Sequence, residues 1–137
     1  LKLNTRRKDG YLEADSAIVT WCVGHLVTMS YPEVYDAKLK RWRLDTLPFL
    51  PKEFKYEVIP AVAKQFQIVK EQLTREDVDT IYVCTDSGRE GEYIYRLVEQ
   101  MAGSERKSEE ACLDRFPDRG GNSSWDPGAK PLKIMII

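Results

Sequence analysis

Apolar residues along the chain fall into short runs that stop at glycine, proline or charge. Ala17 to Val23 is rich in Ile, Val, Thr and Trp and ends at Gly24, the composition of a strand closed by a turn. Phe54, Tyr56 and Val58 alternate with Lys55 and Glu57, the period of a half-buried strand. Val62, Phe66, Val69 and Leu73 then recur at helical spacing, with Lys64, Lys70, Glu71 and Arg75 mostly elsewhere and Pro60 near the start, where a missing amide is harmless. The turn Glu76-Asp77-Val78-Asp79 leads into a second apolar run, Thr80 to Cys84, and Tyr93, Ile94, Leu97, Val98 and Met101 mark a second helix. Strand, helix, strand, helix predicts parallel pairing through a right-handed crossover, hence an α/β sheet.

The chemistry concentrates where the run Thr80 to Cys84 stops, at Asp86-Ser87-Gly88-Arg89-Glu90-Gly91-Glu92. In open α/β sheets the carboxyl ends of the strands are the usual ligand edge. Hard divalent cations such as Mg²⁺ take carboxylate oxygen, usually one or two carboxylates plus water and substrate phosphate. Asp86 closes the strand, Glu90 opens the helix, and Gly88 and Gly91 let the backbone turn tightly between them. Arg89 lies between the acids and suits bidentate capture of a phosphate. The competing explanation needs no metal, because acids in a first helical turn are favoured by the helix dipole. Spacing alone leaves both open.

Composition narrows the partners. With 21 basic and 22 acidic residues and a net charge of −1, bulk charge does not hold this chain to nucleic acid, so any DNA contact comes from a local patch or a metal. Arg6-Arg7-Lys8 before Asp9-Gly10 reads as a solvated charge cluster sooner than a phosphate contact. Between Tyr31 and Pro51 regularity is lost, and Lys38, Lys40, Arg41 and Arg43 surround Trp42. Interleaved basic and aromatic residues suit a single strand; the favoured alternative has Trp42 anchoring the loop on the core while the charges face water. Cys22, Cys84 and Cys112 form no CxxC pair, which points to a reducing cytoplasm and no zinc site. No apolar stretch approaches the roughly 20 residues that span a bilayer, and no signal-peptide pattern is present.

Three segments, RRKDGYLEADSAIVTWCVGHLV, YDAKLKRWRLDTLPFLPKEFKYEVI and CTDSGREGEYIYRLVEQMAG, together resemble the Toprim domain of type IA DNA topoisomerases, topoisomerase III in particular, in the same order over residues 5 to 103. The resemblance implies a Toprim-like (Rossmann-like) parallel sheet with flanking helices, incomplete at both ends, and a fragment of an enzyme that cleaves and reseals single DNA strands. It implies Mg²⁺ as cofactor, held by Asp86 and Glu90, and single-stranded DNA as partner, contacted by Arg89 and by His25 in the Gly-His-Leu turn. The family pattern Asp-x-Asp-x-Glu has Gly88 in place of its middle acid here. The upstream catalytic glutamate and the nucleophilic tyrosine of the family have no match; none of the seven tyrosines stands in the right context, and the first residue is Leu1. The expectation is therefore a fragment that does not relax DNA alone. Another Toprim nuclease or primase, and a non-catalytic remnant of a broken topoisomerase gene, are the alternatives.

After Gly103 the text changes. Residues 104–137 hold Arg119-Gly120-Gly121-Asn122-Ser123-Ser124 and Asp126-Pro127-Gly128, and read as a turn-rich tail behind a partial domain at residues 1–103. Permitted codons for Lys107 to Asp126, read one base later, give nearly the continuation the resemblance implies. A frameshift then explains the tail, and the tail is expected to replace a core strand and to be poorly ordered.

Overall fold

The computed structural model describes residues 4–104, 107–111 and 132–137. A hairpin opens the chain, β1 (Arg6–Lys8) with β2 (Tyr11–Glu13), and β3 (Ala17–Thr20) pairs antiparallel to β2. The hairpin turn needs Gly10, which sits at φ +77° with Gln65 and Ile68 of the following helix so near that an added Cβ would lie 2.7 Å from each. Gln65 Nε2 donates to the Gly10 and Trp21 carbonyls at 3.1 and 2.9 Å, which ties the hairpin and the end of β3 to that helix. β4 (Val27–Met29) and β5 (Tyr56–Val58) form a separate two-stranded antiparallel sheet.

Helix α1 (Ala63–Leu73) follows a single 3₁₀ turn at Pro60–Val62, and buries Phe66, Val69 and Leu73 as their spacing predicts. Arg75 then caps the way into β6 (Val78–Val83): its Nε and Nη2 donate to the two Asp77 oxygens at 2.8 and 2.7 Å, and Nη1 reaches Glu13 at 3.5 Å. Helix α2 (Arg89–Ala102) ends at Gly103, whose left-handed φ of 75° lets its N–H bond the Glu99 carbonyl. Its apolar face is rotated from the sequence expectation. Tyr95 is fully buried, whereas Tyr93 is 41% exposed.

The remaining described strands are β7 (Ser108–Ala111) and β8 (Leu132–Ile136), and they correct the expectation for the tail. The six-stranded sheet runs β1-β2-β3-β8-β6-β7, with β3, β8, β6 and β7 mutually parallel. The last residues of the chain thus form a central strand, while the glycine-rich segment and Asp126-Pro127-Gly128 lie outside the described residues. The reason is physical: a parallel strand covered on both faces reads as a short continuous apolar run, and Ile134-Met135-Ile136-Ile137 has too few residues to show a period. The strand Ala17–Thr20 is also shorter than the run Ala17 to Val23, although the Cys22 N–H still bonds the Ile137 carbonyl at 2.9 Å.

Ile18, Ile81, Ile134 and Ile136 from the sheet pack with Phe66, Val69 and Leu73 of α1 and Tyr95, Leu97, Val98 and Ala102 of α2 in one core. Between residues 30 and 55 the chain makes three single 3₁₀ turns, Pro32–Val34, Ala37–Lys40 and Leu44–Thr46. Tyr35 and Phe49 pack edge to face there, ring centroids 5.2 Å apart, whereas Trp42 is 82% exposed. The expected anchoring by Trp42 is therefore not what holds this loop.

Because Ile134 is fully buried at the centre of the sheet, Ile134→Ala is expected to cost about 2–5 kcal/mol in urea unfolding. A loss below about 0.5 kcal/mol, the range of surface substitutions, would show that β8 is not a core strand.

Candidate metal centre

At its carboxyl end β6 hands over to Cys84-Thr85-Asp86, and the chain turns through Ser87 and Gly88 into α2. The Cys84 N–H still bonds the Ile136 carbonyl at 2.7 Å, so the sheet holds the chain until two residues before Asp86. Gly88 is the N-cap residue, extended at φ −80° and ψ 168°, and offers no side-chain cap. The first helical turn carries Glu90 and Glu92, and the Glu92 N–H bonds the Gly88 carbonyl at 3.3 Å.

Gly91 fixes the shape of this turn. It is buried, and a Cβ there would collide with the Asp86 carbonyl oxygen and stand 2.8 Å from the Asp86 amide nitrogen. The Asp86 backbone therefore lies directly on the first turn of α2, an approach open only to glycine. Gly88 is different. A side chain at this position would meet open space, and its φ is one any residue adopts, so sterics do not demand glycine in place of an acid.

Asp86, Arg89 and Glu90 are all exposed at this edge. His25 joins them from the loop after β3, with its Nε2 3.1 Å from Glu90 Oε1 and its ring edge-on to Tyr93 at 6.3 Å between centroids. Sequence reasoning placed His25 beside nucleic acid; the structure places it against Glu90. Among the described residues no three or more His, Cys, Asp and Glu side chains gather closely enough to hold a metal ion by themselves. The donor set nevertheless fits a hard cation such as Mg²⁺, which takes one or two carboxylates and completes its shell with water and phosphate. Cys22 and Cys84 are half-buried, and burial pushes the Cys22 thiol up to about 11, so it is inert. Cys112 lies outside the described residues. Arg6 lines a polar cleft with Glu13, Asp15 and Arg75 at the opposite, amino end of β6.

The model of the Toprim domain family matches residues 8–115. The chain belongs to the Toprim family. Over 93 residues this Toprim domain is 52% identical to DNA topoisomerase 3 of Bacillus anthracis, which covers 68% of the chain and 13% of that protein. Over 114 residues it is 42% identical to DNA topoisomerase 3 of Bacillus subtilis (strain 168), 83% of the chain and 16% of that protein, and over 97 residues 48% identical to that of Bacillus licheniformis, 71% and 13%. The chain thus spans about one seventh of the length of the curated relatives it matches. The mixed α/β sheet with parallel strands at its centre agrees with the family's fold. Among the described residues no helix is long and apolar enough to cross a membrane.

Behind the acidic loop, α2 carries a charge network that sequence reasoning missed. Arg96 donates to Glu92, Glu99 and Glu109 at 2.9, 2.9 and 2.6 Å, and the Tyr95 hydroxyl donates to Glu109 at 2.7 Å. The spacing of Glu92, Arg96 and Glu99 was visible in the sequence as one helix face; the partner on β7 was not. Burial, and then the hydrogen bond with Glu109, push the Glu99 carboxyl up to about 7. At Glu109 burial acts upward too, but the hydrogen bonds from Glu99, Tyr95 and Arg96 together hold it below the ordinary range. Below about pH 7 the proton of the pair therefore resides on Glu99.

A carboxyl raised on folding stabilises the fold fully below its ordinary value and loses that contribution as pH rises through about 7. Urea unfolding is therefore expected to show the wild type losing stability relative to Glu99→Gln between about pH 4.5 and pH 7.5, since Gln keeps a donor toward Glu109 at every pH. A constant difference across that window would show that Glu99 does not hold the proton.

Proposed function

We propose that this Toprim domain is the metal-bearing part of a type IA DNA topoisomerase of the topoisomerase III kind, an enzyme that cleaves and reseals single DNA strands. The observation that carries the reading is the acidic loop at the end of β6, closed onto α2 through Gly91, in a chain similar along its order to DNA topoisomerase 3. Asp86 and Glu90 hold Mg²⁺, and Arg89 offsets phosphate charge beside them. When bound, Mg²⁺ supplies the positive charge that a phosphodiester under attack requires. The domain acts in the cytoplasm, on DNA.

The loop between residues 30 and 55 extends this reading. Trp42 is exposed among Lys38, Lys40, Arg41 and Arg43, next to an open cleft lined by Pro32, Leu39, Thr46, Leu47 and Phe49. An exposed indole in basic surroundings stacks on unpaired bases and tolerates any sequence. Gly88 bears on a second reading, a non-catalytic remnant, because the general family pattern has an acid at this place, although a subgroup of topoisomerase III looks similar, and nothing steric requires glycine here.

Fluorescence anisotropy with a labelled single-stranded oligonucleotide separates the two. The wild type is expected to bind more tightly with Mg²⁺ than without, Asp86→Ala and Glu90→Ala are expected to lose that difference, and Trp42→Ala is expected to cost about 1–3 kcal/mol with or without Mg²⁺. Weak binding that ignores Mg²⁺ and all three substitutions would support the remnant.

A further inference from the structure

We propose that His25 is a positioning residue for Glu90: its imidazole stands against one carboxylate oxygen and leaves the other for the cation. The inference rests on the reading of Asp86 and Glu90 as a metal pair. The contact is 3.1 Å between His25 Nε2 and Glu90 Oε1, and it is made at the surface, where His25 is 37% and Glu90 74% exposed. A glutamate so exposed, in the first turn of a helix, spreads over many rotamers unless something fixes it. His25 is well placed to do this. The next two residues, Leu26 and Val27, are fully buried, so the imidazole stands on a rigid base. Gly24, at φ +81°, provides the bend that turns the chain from β3 toward α2. The ring also rests edge-on against Tyr93, three residues after Glu90 on the same helix face, so α2 meets the imidazole at two points.

The sequence suggested a nucleic-acid contact for His25; in the structure its Nε2 lies 3.1 Å from a carboxylate oxygen of Glu90. Carboxylates that ligate metals are themselves commonly hydrogen-bonded, and loss of such a partner costs about 10–100-fold in metal affinity.

The test uses Mn²⁺, an oxygen-seeking paramagnetic probe, with binding to the full chain read from water-proton relaxation. His25→Phe keeps a ring against Tyr93 but removes the donor; His25→Gln restores an N–H. Affinity is expected to fall about 10–100-fold in His25→Phe and to recover most of that in His25→Gln, with an unchanged unfolding midpoint in both. In the Glu90→Ala background, His25→Phe is expected to have no further effect, because the two act as one unit. If His25→Phe binds Mn²⁺ as tightly as the wild type while Glu90→Ala does not, His25 has no positioning role and the carboxylate pair still stands. If the wild type binds no Mn²⁺, both the pair and the role of His25 are overturned.

Discussion

Gly91 and the Asp86 backbone cannot be separated by a single carbon atom, and the candidate site depends on that contact. It presses the backbone just after β6 onto the first turn of α2, so Asp86 and Glu90, four positions apart, both lie at the carboxyl edge of the sheet. The parallel sheet then decides what else reaches this edge. Loops that follow parallel strands all emerge at the same end, and the loop after β3 brings His25 there.

The same topology separates tasks. At the amino end of the strands, Arg75 binds Asp77 and Glu13 in a closed polar knot that holds the entry of β6. At the carboxyl end the charges are exposed and less compensated, which is the state a cation or a phosphate needs. Between them, Arg96 binds Glu99 and Glu109, and with the Tyr95 hydroxyl it clamps α2 to β7. Breaking one member of such a network strands the others.

Much of this was legible in the sequence, for reasons that can be traced residue by residue. The stripe Val62, Phe66, Val69, Leu73 has the helical period and one buried face, and α1 follows it. The stop from Thr80–Cys84 into Asp86 and Gly88 marked the strand, the loop and the candidate carboxylates, and the co-linear segments marked the Toprim family. The misses have local causes. Ile134 and Ile136 lie in a run too short to carry a period, and only pairing with β3 and β6 makes that run a central strand. Tyr95 outranks Tyr93 as the core residue because Glu109, from a distant strand, satisfies its hydroxyl. The exposure of Trp42 follows from Tyr35 and Phe49 packing on each other instead. The contact of His25 with Glu90 joins residues 65 positions apart, and no spacing rule reaches that far.

The most direct measurement is a Mg²⁺ titration followed by amide NMR shifts in the wild type, Asp86→Ala and Glu90→Ala. The two-carboxylate account predicts saturable shifts centred on residues 84 to 92 in the wild type and none there in either variant. A well-dispersed wild-type spectrum that Mg²⁺ leaves unmoved at those residues would contradict it, leaving a Toprim fold whose acidic loop holds no metal.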